Sequence, residues 1–220
     1  MKNLQERIDN GEVIILDGAM GTELEDRGVP IAKGAWSAAA ILSHPNEIRK
    51  LHEDYIAAGA DVIITDTYAC SRPVMENTGM GKEVAQVNKR AAELATEARI
   101  NAGGIDRVAI AGSISSSNSS LLSPYWENKA TLPTEQQARA GYLEQAEILA
   151  SGGVDLIVLE MMGDLHQTIY ALEASLSTGL PVWVGFSTRI SSNGAEVLLR
   201  ESADGGPTLI RGLDEVLSRG

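Results

Sequence analysis

Strand-length apolar runs alternate with longer stretches of helical period along the chain, and this alternation most restricts the fold. The apolar runs lie at 13–16, 61–65, 108–114, 154–160 and 181–187. The stretches of helical period lie at 3–9, 46–60, 82–104, 134–153, 165–180 and 209–217. Strands that are apolar on both faces and are joined by helices predict a parallel sheet covered by helices, that is, an α/β fold.

Two passages, AAGADVII (57–64) and ASGGVDLIV (150–158), repeat one local pattern. Each has a helix end, a glycine cap, an aspartate and then a buried strand. A repeated joint of this kind is typical of a (β/α) barrel or of an open α/β sheet. It is a structural repeat and indicates no function by itself.

Composition excludes several classes of function. The 220 residues predict one domain, 1–220, and the formal net charge of -12 argues against nucleic acid or an anionic membrane surface as a partner. No apolar run approaches the ~20 residues of a membrane span. The N-terminal MKNLQERIDNGE is too polar for a signal peptide, and the single Cys70 cannot form an internal disulfide. We therefore expect a soluble cytoplasmic protein.

One segment breaks the alternation. The stretch SISSSNSSLLSPYWENKATLP (113–133) is a long polar loop after the third predicted strand. Long loops without secondary structure are usually functional or disordered. We expect either a lid that faces the substrate or a disordered segment.

The chemistry should lie at the carboxyl ends of the strands, where α/β proteins bind ligands. These ends carry three carboxylates, Asp17, Asp66 and Glu160, with several hydroxyls, Cys70 and Arg189. Paired carboxylates suit an ammonium group or a general base. Asp17 could instead be a turn cap, and Cys70 a small buried apolar residue. Glu160 directly follows LIVL, where an ionised carboxylate needs a partner or solvent.

Several familiar sites are missing from the sequence. DGAMGTEL lacks the spacing of a phosphate-binding glycine loop and the Walker lysine, which argues against a nucleotide fold. No lysine ends a strand, which argues against a Schiff-base aldolase. His44, His52 and His166 lie in or beside predicted helices without an i,i+4 pair, so we expect capping or solvated side chains and no metal site.

The strand-end motifs resemble those of the homocysteine S-methyltransferase family. The resemblance rests on ILDGAMGTEL (15–24), on WSAAAILSHPNEIRKLHEDYIAAGADVIITDTYACS (36–71), on VDLIVLEMM (154–162) and on PVWVGFS (181–187). It implies a (β/α)8 barrel that methylates the sulfur of homocysteine, or of a similar thiol or selenol, to form methionine. It also implies a zinc ion that binds the substrate thiol and lowers its pKa.

The resemblance also implies which residues bind the substrate. Asp17 and Glu160 match the acidic residues that hold the amino-acid head. Thr67 and Tyr68 match a threonine–aromatic pair near the substrate pocket. The expected substrate-binding set is Asp17, Gly18, Ala19, Met20, Gly21, Thr67, Tyr68 and Glu160. The resemblance assigns no catalytic residue, and it leaves the methyl donor open.

Two departures from the family pattern matter. The third strand runs into GSISSSNSS where the family usually has a Gly-Pro-Tyr-Gly loop. The zinc cysteines of the family's sixth and eighth strands have no counterpart, because the sequence ends after the fifth βα unit and Cys70 matches none of them. We therefore expect a partial barrel that lacks its C-terminal units and provides no metal ligands.

Three explanations for a partial barrel remain open at this point. The sequence could be incomplete, it could be a short homologue that forms a homo-oligomer through its open sheet edges, or it could be a degenerate relative. The last would bind an amino-acid ligand without methyl transfer. A metal-free enzyme that uses Cys70 as its nucleophile is a further alternative, but the sequence shows no neighbouring base for it.

Overall fold

Four parallel strands form the central sheet of the computed structural model, which describes residues 4–31, 37–116 and 131–220. In spatial order they are β1 (Val62–Ile64), β2 (Ala109–Ser115), β3 (Leu156–Met162) and β4 (Val182–Phe186). An open doubly wound sheet reverses its strand order at a switch point, whereas a (β/α) barrel adds each strand on the same side. The sequential order is that of the barrel.

The segment 13–16, predicted as the first strand, joins this sheet through one bridge only. Leu16 pairs in parallel with Val62, and the Asp17 N–H donates to the Val62 carbonyl oxygen at 2.9 Å. Val13 and Ile15 are 81% and 54% exposed. The prediction of a full strand is wrong in extent, since β1 begins at Val62, the partner of Leu16, and offers no strand beside the residues that precede Leu16.

Helices follow the strands and cover the outer face of the sheet. The described helices are α1 (Leu4–Asp9), α2 (Met20–Asp26), α3 (Ala38–Ser43), α4 (Pro45–Ala58), α5 (Arg72–Asn77), α6 (Val84–Asn101), α7 (Glu135–Ser151), α8 (Leu165–Leu176) and α9 (Leu209–Leu217). All six predicted helical stretches are present, and their bounds agree with the predicted ones to within four residues at either end. Gly59, with φ of 108°, ends α4 in the left-handed conformation that a glycine adopts without strain.

Short elements escaped prediction. The helices α2, α3 and α5, of six or seven residues each, were not predicted, although α1, which is equally short, was. The strands β5 (Thr188–Ile190) and β6 (Val197–Leu199) form an antiparallel pair after β4. The Asn193–Gly194 dipeptide between them, with Gly194 at φ 73°, is the hairpin signal in this stretch.

The two repeated joints make the same contacts. Asp61 Oδ2 accepts a hydrogen bond from the Ile15 N–H at 3.0 Å, and Asp155 Oδ2 accepts one from the Ile110 N–H at 2.8 Å. Each carboxylate also pairs with an arginine, Asp61 with Arg7 and Asp155 with Arg99. The repeat therefore joins the start of each strand to its neighbour.

The sheet is apolar on both faces, as predicted. Its outer face packs against the helices in a large buried cluster that includes Ile110, Ile157 and Leu149. Its inner face carries a smaller cluster of Val62, Ala109, Ala111, Leu156 and Val158. A barrel fills this inner side with side chains from its strands. Within the described ranges, no helix is both long enough and apolar enough to span a membrane.

Candidate functional site

A cavity of about 470 Å³, here called the rim cavity, opens at the carboxyl ends of the strands. Its walls come from the loop after the first segment, the start of α3 and the ends of β1 and β3. The lining residues are 18–22, 37–38, 64–66, 68–70 and 160–161. Asp66 and Glu160 are its two acidic side chains, and no Lys, Arg or His of the described chain lines it.

The rim cavity brings together six of the eight residues predicted to bind substrate. Gly18, Ala19, Met20, Gly21, Tyr68 and Glu160 line it. Asp17 and Thr67 lie just behind its wall, outside the lining. The site assignment itself stays a prediction, since its basis is position alone.

The loop that carries Gly18 rests on Tyr55 of α4. The Tyr55 hydroxyl donates to the Ala19 carbonyl oxygen at 2.8 Å. A Cβ atom added at Gly18 would lie 2.8 Å from the same hydroxyl oxygen, which is closer than van der Waals contact allows. Glycine at this position therefore lets the loop lie against the ring.

The Asp17 carboxyl is directed at the end of β1. Its Oδ2 accepts a hydrogen bond from the Ile64 N–H at 2.8 Å, while Oδ1 is buried and has no hydrogen-bond partner within the described residues. The side chain is only 1% exposed. Burial is the main cause that raises its pKa to about 7, and the charge of Glu160 adds to the increase.

Glu160 reaches the rim cavity at an irregular point of β3. The pairing of β3 with β4 shifts register between Leu159 and Met162, and Met161 has a left-handed φ of 55°, which is rare for a residue with a side chain. Ser113 Oγ donates to Glu160 Oε2. Burial raises the pKa of the Glu160 carboxyl, and the bond from Ser113 opposes that increase.

Thr67 belongs to a hydrogen-bond network below the rim cavity. Its Oγ1 donates to the Ser113 carbonyl oxygen at 2.7 Å, and its own carbonyl oxygen accepts from Gln145 Nε2 at 2.9 Å. The Ser113 N–H donates to Thr65 Oγ1 at 3.0 Å. Because Ser113 also bonds Glu160, this network fixes the position of the Glu160 carboxyl.

Asp66 is a lining residue that the predicted site set omitted. It is 7% exposed, Ser37 Oγ donates to its Oδ1, and its Oδ2 has no hydrogen-bond partner in the described parts of the chain. Burial raises its pKa to about 7, and the Glu160 charge contributes. Asp66 was recognised in the sequence as a carboxylate at the end of a strand, and this position could have indicated that it lines the cavity.

His52 contradicts the expectation of a capping or solvated side chain. It lies inside α4 with 0% exposure, and burial lowers its pKa to about 4, so the ring is neutral at pH 7. Its Nδ1 is 4.0 Å from Asp17 Oδ2. The helical spacing of Ile48, His52 and Ile56, which form one buried stripe, could have indicated its burial.

Neither Cys70 nor its surroundings offer an activated thiol or a metal site. Cys70 is 1% exposed, and burial raises the pKa of its thiol well above the usual range, which does not favour a nucleophilic thiolate. Across residues 4–31, 37–116 and 131–220, no three His, Cys, Asp or Glu side chains are grouped to hold a metal ion. The residues described thus do not fit the zinc ion that the family resemblance implies.

The long polar loop predicted at 113–133 is described only at its ends. Ser113 to Ser115 belong to β2, so the strand continues into the predicted loop. Residues 117–130 lie outside the described ranges, and so does the expectation of a lid or a disordered segment.

Comparison with known proteins places the chain among homocysteine methyltransferases. The sequence model of the family described as homocysteine S-methyltransferase matches residues 14–204. Betaine–homocysteine S-methyltransferase 1 of Xenopus tropicalis is 29% identical over 185 residues, and that of Bos taurus is 28% identical. Each alignment covers 82% of this chain and 42% of the relative, so the chain spans about two fifths of the length of these curated relatives.

Solved structures confirm the fold class. The metallated form of the homocysteine methyltransferase MmuM from Escherichia coli superposes with a TM-score of 0.81 at 25% identity. The superposition covers 99% of this chain and 74% of that chain. The apo form of MmuM gives a TM-score of 0.69 at 23% identity. The sheet described here is therefore part of a TIM-barrel-type fold.

Proposed function

We propose, from the premise that this chain belongs to the homocysteine S-methyltransferase family, that the rim cavity binds homocysteine or a similar thiol amino acid for methyl transfer to its sulfur. The family relatives are S-methyltransferases by name, and substrate and activity are carried to this chain as a proposal. The methyl donor is a second small molecule of undefined class.

The observation that carries this proposal is the uncompensated carboxylate of Glu160. It lines the rim cavity, and no cationic side chain of the described chain lines the cavity with it. A carboxylate in such surroundings stays ionised only if a cation or solvent compensates it. The ammonium group of an amino acid would supply that charge, and its field would lower the raised pKa of Glu160.

The rest of the lining suits the remainder of a thiol amino acid. Ala19, Met20 and Ala38 give apolar contact for the methylene groups and for a sulfur atom. The rigid network of Ser113 and Thr67 would fix Glu160, and therefore the head of the ligand, at one place. The chain's own residues thus bind and orient the substrate.

Zinc, when bound in family members, activates the substrate thiol by lowering its pKa. Since the described residues bring no zinc ligands together, no step of the proposal runs through zinc. Homocysteine binding is the part of the function that the described residues support by themselves.

Isothermal titration of L-homocysteine and of 4-mercaptobutyrate, its analogue without the amino group, tests the binding part. We expect the amino acid to bind at least about tenfold more tightly, since a charge-assisted hydrogen bond contributes roughly 1.5–3 kcal/mol. Glu160→Gln should remove most of that preference. Glu25→Gln, which removes an exposed charge outside the lining, serves as the matched control.

A turnover assay tests the transfer part. The chain is incubated with L-homocysteine and, in turn, with a folate, a betaine or a sulfonium methyl donor, and methionine is measured by mass spectrometry. Methionine formation that Glu160→Gln reduces supports the enzyme. Binding without methionine formation would instead support the non-catalytic relative, and equal binding of both thiols would contradict the proposed site.

A further inference from the structure

His52 has an unusual environment for a polar side chain in a helix interior. It is fully buried in α4, and neither Nδ1 nor Nε2 has a hydrogen-bond partner in any described part of the chain. Buried polar atoms are almost always satisfied, and each one that is not lowers stability. An apolar residue of similar size would avoid this loss. The histidine is therefore unexplained by packing.

The nearest polar neighbour of the His52 ring is also incompletely satisfied. Asp17 Oδ2 lies 4.0 Å from His52 Nδ1 and bonds the Ile64 N–H, while Asp17 Oδ1 is buried without a partner among the residues described. The Nδ1 to Oδ2 separation exceeds a hydrogen bond by about 1 Å. A small rotation of either side chain would complete the bond.

The same face of α4 supports the cavity loop directly. Tyr55, one turn after His52, donates to the Ala19 carbonyl oxygen and touches Gly18. His52 thus lies beside Asp17, and Tyr55, three residues further along the same helix face, contacts Gly18 and Ala19. This face of α4 therefore supports the segment whose Gly18 and Ala19 line the rim cavity.

We propose that His52 is a positioning residue for Asp17, donating its Nδ1 proton to Oδ2 when a cationic ligand in the rim cavity holds the Asp17 carboxyl in its ionised form. The proposal rests on the proposed function for its ligand. The two groups stay apart while the Asp17 carboxyl holds its proton, and the bond forms once the carboxyl is ionised, either by the ligand or by a rise in pH. When the ligand brings a positive charge, the carboxylate needs a second donor beside the Ile64 N–H.

Ligand binding by three variants tests this role. His52→Leu removes the donor, and His52→Asn keeps a donor, because the asparagine amide nitrogen occupies about the position of Nδ1. We expect His52→Leu to weaken L-homocysteine binding about tenfold and His52→Asn to restore it to within about threefold. In an Asp17→Asn background, His52→Leu should have little further effect.

A packing role predicts a different pattern. If His52 served packing, His52→Leu would lower the unfolding free energy. The positioning role predicts instead that urea unfolding shows His52→Leu to be at least as stable as the wild type, since the substitution removes two unsatisfied nitrogens. Wild-type affinity in a folded His52→Leu protein would overturn the proposal. So would an Asn variant as weak as the Leu variant, or an equal loss in the Asp17→Asn background. His52→Phe repeats the comparison if the leucine variant does not fold.

A ligand-free measurement separates this inference from the proposed function. The titration midpoint of the Asp17 carboxyl carbon, followed by ¹³C NMR, should rise by about half a pH unit or more in His52→Leu and return in His52→Asn. Glu160 also acts on the charge of Asp17, and Glu23 and Arg27 act on the neighbouring Tyr55. All variants keep these three groups. Failure of the wild type to bind homocysteine would refute the proposed function alone. An unchanged midpoint would refute the role of His52.

Discussion

Replacing Asp66 by asparagine should make the protein more stable at neutral pH, and the gain should vanish at acid pH. Burial raises the pKa of this carboxyl from the ordinary 3.8 to about 7 in the folded protein. Asparagine has the shape of the protonated acid, and its Oδ1 can still accept the bond from Ser37. It carries no titrating proton, so the variant removes one pH-dependent contribution and keeps the packing.

The sign follows from proton linkage. A carboxyl whose folded pKa is raised holds its proton more tightly in the folded state, so its stabilising contribution is complete below pH ~4. That contribution is lost as the pH rises through about 7. The difference between a pKa of 3.8 and one of about 7 corresponds to roughly 4 kcal/mol. The unfolding free energy of Asp66→Asn should therefore exceed that of the wild type by up to ~4 kcal/mol above pH 7.

Urea unfolding at several pH values between 4 and 8 measures this difference. Asp17, Glu160 and Glu201 also have raised pKa values, so the wild type alone reports their sum. Subtracting the wild-type curve from the variant curve gives the contribution of Asp66 together with its charge coupling to Glu160, and Glu25→Gln controls for a general loss of negative charge. A difference that stays constant with pH, or a variant less stable than the wild type at pH 7.5, would refute the reasoning.

Three further substitutions test separate contacts. Gly18→Ala should lower the unfolding free energy by about 1–3 kcal/mol, because the added Cβ would lie 2.8 Å from the Tyr55 hydroxyl oxygen. Thermal or urea denaturation measures this loss, and a loss near zero would contradict the packing of Gly18 against Tyr55. Ser113→Ala should raise the pKa of Glu160 further, because it removes the hydrogen bond that opposes the effect of burial. Carboxyl ¹³C NMR measures this pKa, and an unchanged titration midpoint of Glu160 would argue against the bond. Thr134→Ala should lower the unfolding free energy by about 1 kcal/mol without changing homocysteine binding, because its Oγ1 caps α7 and the residue is not part of the cavity lining. Altered binding would contradict this expectation.

The sequence predicted the sheet and its order because hydrophobic periodicity is a long-range regular signal. The strands β1 to β4 and the helices between them appear close to the expected bounds. The helices α2, α3 and α5 and the β5–β6 pair were not predicted, because segments of three to seven residues carry a weak periodic signal.

The site was predictable in its residue types and less so in its contacts. Strand ends correctly gathered Glu160, Tyr68 and the glycine loop around one cavity. The sequence could not show that Asp17 turns towards the Ile64 N–H, because the direction of a side chain depends on the neighbouring strand. His52 was misjudged because its chemical type outweighed its place on the apolar stripe of α4.

The most direct test of the account is a crystal structure of the chain with L-homocysteine. We predict that the ligand occupies the rim cavity with its ammonium nitrogen within hydrogen-bond distance of Glu160, and with its sulfur against the apolar wall of Ala19, Met20 and Ala38. A ligand bound elsewhere, or one that directs its carboxylate at Glu160, would contradict the account.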